Sequence, residues 1–456
     1  METVLPNKSN NNNSFYKKYF AIVLPLIAQQ FVYISLNFID NIMVGQLGET
    51  SIAGVGFANK LYFIYILVLF GAFGGSTIFM SQYYGKRDMN GLRKIFAIVV
   101  GLALFVGILF MILSTIFARD FMSMFSNDAA VVNIGTNYLL IIALSFPFNA
   151  ISFAITSGLR SMGKTKQALI IVVIATSVNT VLNYCLIYGN FGFPRWEAEG
   201  AAIATVIARL VEFSACLYLF ANRKYHLRTT FKRYFGLSKD TVKSLIKISI
   251  PVFFTESIWV VATTLLYVAY GQLGTLAGAS VNIAELVINM GSIIFFGVAM
   301  GANILIAQTI GAGKLDEAFD MGKKVIKMAL IISFGVSIFA MLIKGFILKA
   351  YSLTPEAIEM TNNVLIAFSI AMFFKFINWT VIVGILRAGG DTTAAFFIDV
   401  IPIAFLAIPL AFYCAVVLKL EIHWVVLIAN FEEVIKMFVA LYRFKSKKWI
   451  KNLTGN

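Results

Sequence analysis

LPLIAQQFVYISLNFIDNIMVGQLG (residues 24–48) and IPVFFTESIWVVATTLLYVAYGQLG (residues 250–274) are two versions of one segment, 226 positions apart. Pro25 meets Pro251, and Gly45-Gln46-Leu47-Gly48 meets Gly271-Gln272-Leu273-Gly274. The register holds without a gap through Gly71 and Gly297, Gln82 and Gln308, and Gly85 and Gly311. Farther on, LRSMGKT at Leu159 echoes LRAGGDT at Leu386 with a one-residue slip. Each copy sits in an apolar run, so the chain reads as two membrane-embedded halves related by a pseudo-two-fold axis, the pattern of a carrier.

Composition agrees. Apolar residues make up 59% of the 456 residues and charged residues 13%, whereas soluble domains average about 45–50% and about 25%. Runs such as IFAIVVGLALFVGILFMILSTIF (residues 95–117) exceed the length needed to span a bilayer. We expect an all-α integral membrane protein of twelve spans in two six-helix lobes. The expected division is a disordered N-terminus over 1–18, an N-lobe over 19–221, a linker over 222–243, a C-lobe over 244–441 and a basic tail over 442–456. No cleavable leader is expected.

The excess of 15 positive charges is uneven. Lys86, Arg87, Arg93 and Lys94 crowd one loop, Arg160, Lys164 and Lys166 another, and Lys314, Lys323, Lys324 and Lys327 a third. The positive-inside rule places these loops and both termini in the cytoplasm of a multi-pass plasma (inner) membrane protein, and leaves no reason to invoke nucleic acid. An even number of spans per half makes the repeat parallel, with its axis along the membrane normal. Cys185, Cys216 and Cys414 lie in apolar runs and read as packed thiols.

Polar residues at bilayer depth mark function. Gln29, Tyr33, Asn37 and Asp40 share one face of the first span, spaced 4, 4 and 3 residues apart. Glu256 lies inside the seventh span. Asn282 and Glu285 lie in the eighth, with Asn289 and Ser292 on the same face. Lys375 and Asn378 lie in the tenth, where Lys375 is expected to neutralise a carboxylate. Thr176, Asn179 and Asn183 form a face of the fifth, whose oxygens suit a small hard cation or a helix contact. Arg209 and Glu212, Asp399, and Glu432, Glu433 and Lys436 read as local structural pairs. No catalytic residue is expected: GxSxG, HExxH and P-loop motifs are missing from the sequence. Neither a cofactor nor a metal beyond a coupling Na⁺ is expected, and uphill transport would draw on an ion gradient.

FIDNIMVGQLG (residues 38–48), SQYYGKRD with its echo AQTIGAGK, and GILRAGGDT (residues 384–392) resemble the multidrug and toxic compound extrusion (MATE) family over about residues 20–445. The resemblance implies an antiporter that exports amphiphilic or cationic organic compounds in exchange for Na⁺ or H⁺, acting as a monomer among membrane lipids. It places the family's first-helix acid on Asp40 and its seventh-helix glutamate on Glu256. It places an amino-lobe cation site on Asn179, Asn183 and Thr205, with an amide at Asn183 where some members carry an aspartate. Gln29, Tyr33, Asn37, Asn282, Glu285, Lys375 and Asn378 are the expected substrate-cavity residues. The alternatives are a lipid-linked saccharide flippase on a related two-lobed fold and, more remotely, a membrane-embedded enzyme.

Overall fold

The computed structural model describes residues 8–222, 227, 239–350 and 353–455, all helical or connecting. Most of the expected linker, with His226 and Arg228, lies outside the described residues. Among the described residues ten helices are long and apolar enough to cross a membrane. The bent pair α5 (Ala129–Ala143) and α6 (Phe146–Ser161), which meet at 51° where Pro147 enters the second helix, brings the number to eleven when taken as one span. The twelfth expected span is occupied by α15 (Ile422–Ala429) and α16 (Glu432–Lys445). These helices have 8 and 14 residues, and Glu432, Glu433 and Lys436 sit inside the second.

The repeat survives folding. Helix α2 (Glu49–Gly85) and helix α10 (Thr275–Gly311) have 37 residues each, with bounds 226 positions apart. The GQLG turns that precede them are made alike. Leu47 N donates to Val44 O at 3.0 Å, and Leu273 N to Tyr270 O at 3.2 Å. Gly48 and Gly274 then take φ of 101° and 108°, values that side chains resist. The LRSMGKT and LRAGGDT turns also match, with Gly163 and Gly390 both left-handed.

The chain divides into two compact units. Unit 2 comprises residues 28–245. It holds the remainder of α1 (Lys8–Gly45), then α2, α3 (Met89–Ile116), the short α4 (Ala118–Ser123), α5, α6, α7 (Thr165–Tyr188) and α8 (Glu197–Ala221). Small residues let its helices approach closely, as bilayer packing requires. A Cβ on Gly54 would fall 3.0 Å from Val131 O, and one on Gly200 2.6 Å from Leu186 O. Tyr65 anchors the middle, stacking on Phe146 at 4.6 Å and donating its hydroxyl to Phe146 O at 2.8 Å.

Unit 1 comprises residues 1–27 and 246–456. It holds most of α9 (Lys239–Gly271), α10, α11 (Leu315–Ala350), α12 (Pro355–Trp379), the helix that begins as α13 (Thr392–Pro402) and continues to residue 417 through π-helical turns and α14 (Ile408–Phe412), then α15 and α16. The boundary therefore falls inside α1, which starts at Lys8 in the stretch expected to be disordered. Phe15, Tyr19, Val23 and Leu26 explain the difference, since they are buried in the core of unit 1. Tyr19 donates to Val298 O at 2.7 Å, and Ile27 and Val23 fill the space beside Gly297 and Gly301.

The segment expected to be a tail is also built into unit 1. Trp449 is fully buried, stacks on Phe444 at 5.7 Å and donates Nε1 to Phe444 O at 3.0 Å. Lys451 N donates to Gly389 O at 3.0 Å, and Asp391 receives Arg443 and Lys451, each at 2.6 Å. The LRAGGDT turn is thus held by the end of the chain. All three cysteines are free and buried.

Candidate functional site

In unit 2 the polar residues of three helices form one hydrogen-bonded chain. Asn183, on α7, donates Nδ2 to Asp40 Oδ1 of α1 at 2.7 Å and to Asn179 Oδ1, one turn back, at 3.2 Å. Asn179 Nδ2 in turn donates to Thr205 Oγ1 of α8 at 3.3 Å, and that hydroxyl donates to Ala201 O at 2.9 Å. Asn179 and Thr205, 26 positions apart, meet because α7 packs along α8, and α1 supplies Asp40, 143 positions from Asn183. Asn179 and Asn183 are buried, and Asn183 Oδ1 has no donor. An orphaned amide oxygen beside a carboxylate is a fit for a small hard cation, which takes carboxylate, amide and hydroxyl oxygens as ligands.

The rest of the first-span stripe parts company. Gln29 is buried with Nε2 unpartnered, Tyr33 sits within electrostatic reach of Arg160, Arg209 and Glu212, and Asn37 is exposed. Arg209 and Glu212 make the expected local pair at 2.6 Å.

Unit 1 rearranges the expected partners. Glu256 on α9 is paired at 2.7 Å, and its partner is Arg387. Lys375, the expected neutraliser, instead lies 6.0 Å from the Trp259 ring centroid. Arg387 follows a π-helical stretch, residues 380–386, and its own N–H donates to Ile382 O five residues back at 3.1 Å. The extra residue per turn re-aims the end of the helix, a device found often at functional positions. Glu285 is within reach of the Tyr267 hydroxyl, and Asn282 is exposed. Asn378 is buried and donates Nδ2 to Glu433 O at 2.6 Å and to Glu433 Oε2 at 2.8 Å.

Two features were missed. Arg387 was visible only as part of a motif. Glu432, Glu433, Lys436 and Asp399, read as local pairs, converge: Lys436 Nζ lies 2.9 Å from Glu432, 3.1 Å from Asp399 and 3.9 Å from Glu433. The signal available was the spacing of two acids three and four residues before a lysine inside a span. Among the described residues no three His, Cys, Asp or Glu side chains are grouped to hold a metal ion.

A duplicated all-α fold with ionisable side chains buried in its spans defines a multi-pass membrane transporter. The chain belongs to the MatE family, whose model matches residues 25–185 and 251–413, the two matches opening on the repeated prolines. It is 25% identical to "Probable multidrug resistance protein YoeA" of Bacillus subtilis, over 97% of each chain. It is 24% identical to "Probable multidrug resistance protein NorM" of Thermotoga maritima, over 95% of this chain and 93% of that protein. Among solved structures it resembles the Vibrio cholerae MATE transporter VcmN in its bent form, with a TM-score of 0.86, 16% identity and coverage of 95% and 97%. It also resembles a MOP superfamily transporter from Pyrococcus furiosus, with a TM-score of 0.84, 18% identity and coverage of 95% and 96%. Solved members of the family have twelve helices in two lobes, and its members are multidrug transporters rather than enzymes.

Proposed function

We propose that this protein is a secondary antiporter of the plasma membrane, both termini cytoplasmic, that exports amphiphilic organic cations in exchange for Na⁺ or H⁺ by alternating access. The observation that carries the reading is the chain Asp40–Asn183–Asn179–Thr205 with its donorless Asn183 Oδ1. One cation bound there would neutralise Asp40 and take the orphaned oxygen as a ligand. A gradient of that cation then biases the equilibrium between two access states by its differential affinity for them. Asn183 supplies an amide where a second acid would add charge, so the site carries a single negative charge and suits a monovalent ion. Glu256 takes part through Arg387, which must exchange partners for the carboxylate to bind a cation. Gln29, Tyr33, Asn37, Asn282, Glu285 and Lys375 are the proposed substrate-facing residues; Asn378, buried and bonded to Glu433, is not among them.

The test is uptake of a fluorescent organic cation into inverted vesicles under imposed Na⁺ or H⁺ gradients. Wild type is expected to respond to one of the two gradients. Asp40→Asn is expected to abolish that response at unchanged expression. Gradient-driven uptake that survives Asp40→Asn would remove Asp40 from the coupling role.

A further inference from the structure

The convergence on Lys436 leaves a charge imbalance. Asp399 from α13 and Glu432 and Glu433 from α16 supply three carboxylates, and Lys436 supplies one ammonium. The side chains of Lys436, Glu432 and Glu433 are 2%, 4% and 8% exposed. The other groups that face them are uncharged: Asn378 from α12, which donates to Glu433, and Tyr270 from α9, within electrostatic reach of Glu432. Among the described residues, Lys436 is the cation with which each of the three carboxylates pairs. With every group ionised the cluster would carry two uncompensated negative charges away from water, and each such ion costs several kcal/mol.

A second observation points to a missing donor. Asn378 is 3% exposed and gives two hydrogen bonds to Glu433 through Nδ2, while its Oδ1 has none. Turning the amide over would set its oxygen against a carboxylate, so the orientation is fixed. Ionised carboxylates only accept. The cluster is therefore rich in acceptors and short of one N–H or O–H.

We propose that this cluster binds one exchangeable proton, a site distinct from Asp40. The proton bonds to a carboxylate oxygen of the Glu432–Glu433 pair, turning one carboxylate into a carboxylic acid and reducing the formal charge from minus two to minus one. The new O–H supplies the donor that Asn378 Oδ1 lacks. Carboxylates that crowd one site share a proton for this reason, and the proton belongs to the group rather than to one residue. Asp399, with 23% of its side chain exposed, is the route by which the proton leaves to water when the O–H bond breaks. Lys436 Nζ already lies among the three carboxylates, so the ion that fits is H⁺. The proposal does not rest on the Asp40 assignment, and its test does not involve transport.

Infrared spectroscopy of the purified full-length protein reads it directly, since a protonated carboxyl has a carbonyl stretch that shifts in D₂O. Wild type at neutral pH is expected to show such a band. Glu432→Gln or Glu433→Gln is expected to remove it, and Asp40→Asn to leave a band of the same position. Asn378→Leu changes no charge and removes the acceptor of the O–H, so it should move the band without abolishing it. Should the glutamine variants not fold, Asn378→Leu decides alone. No band in wild type, a band unchanged in both glutamine variants, or one unmoved by Asn378→Leu would overturn the proposal.

Discussion

The pairing of Glu256 with Arg387 makes an asymmetric prediction. Removing either partner strands the other, so the cost follows the burial of the residue left behind. Arg387 is 7% exposed in its side chain and Glu256 34%. Glu256→Gln leaves a buried, unpaired guanidinium, a situation that costs about 3–5 kcal/mol. Arg387→Gln leaves a carboxylate that water reaches, so its cost falls toward the exposed-pair range, about 1–3 kcal/mol. Losing the acid should therefore be worse than losing the base by about 2 kcal/mol, and the double variant should cost less than the sum. Lys375→Met, by contrast, should couple to Glu256 by no more than about 0.5 kcal/mol. Equilibrium unfolding in mixed micelles, followed by tryptophan fluorescence, measures all four terms. If Arg387→Gln proves as costly as Glu256→Gln, or if Lys375 couples to Glu256 as strongly as Arg387 does, the burial argument and the pairing both fail.

Lys436→Met should destabilise unit 1 by about 3–5 kcal/mol, because it strands the carboxylates around it, whereas Glu433→Gln, in which a neutral amide stands in for the protonated acid, should cost less than about 1 kcal/mol; the same unfolding assay compares them. Trp449→Ala should cost about 3–5 kcal/mol, as expected for emptying a fully buried indole site, and an unchanged unfolding midpoint would show that the end of the chain is not docked.

The features legible in the sequence were those with a period. The 226-residue offset returned matching helices, matching GQLG turns and left-handed glycines at equivalent places. Asn179 and Asn183 were legible because one helical turn separates them, and Asp40 because a carboxylate at bilayer depth demands a reason. Thr205 came only from the family resemblance. Arg387 was not legible as the partner of Glu256, since 131 positions separate them and a π-helical stretch sets the direction of the arginine. The Lys436 cluster was half-legible: spacing gave the pairs along α16, and only packing of α13 and α12 against α16 added Asp399 and Asn378. The end of the chain misled because its lysines suggest solvent, while Trp449 decides where it lies.

The crossing of α1 from unit 1 into unit 2 sets an order of events at the ribosome. Tyr19 is made early, yet the carbonyl that receives its hydroxyl belongs to Val298, 279 residues later. At about 5–20 residues per second that is a delay of roughly 15–60 seconds. For that time the apolar face of Phe15, Tyr19, Val23 and Leu26 has no partner of its own and must be held by lipid or by the insertion machinery. Severing the gene at the junction of the repeats would therefore not yield two self-sufficient products. The first would carry an orphaned helix end, and the second would lack a piece of its core.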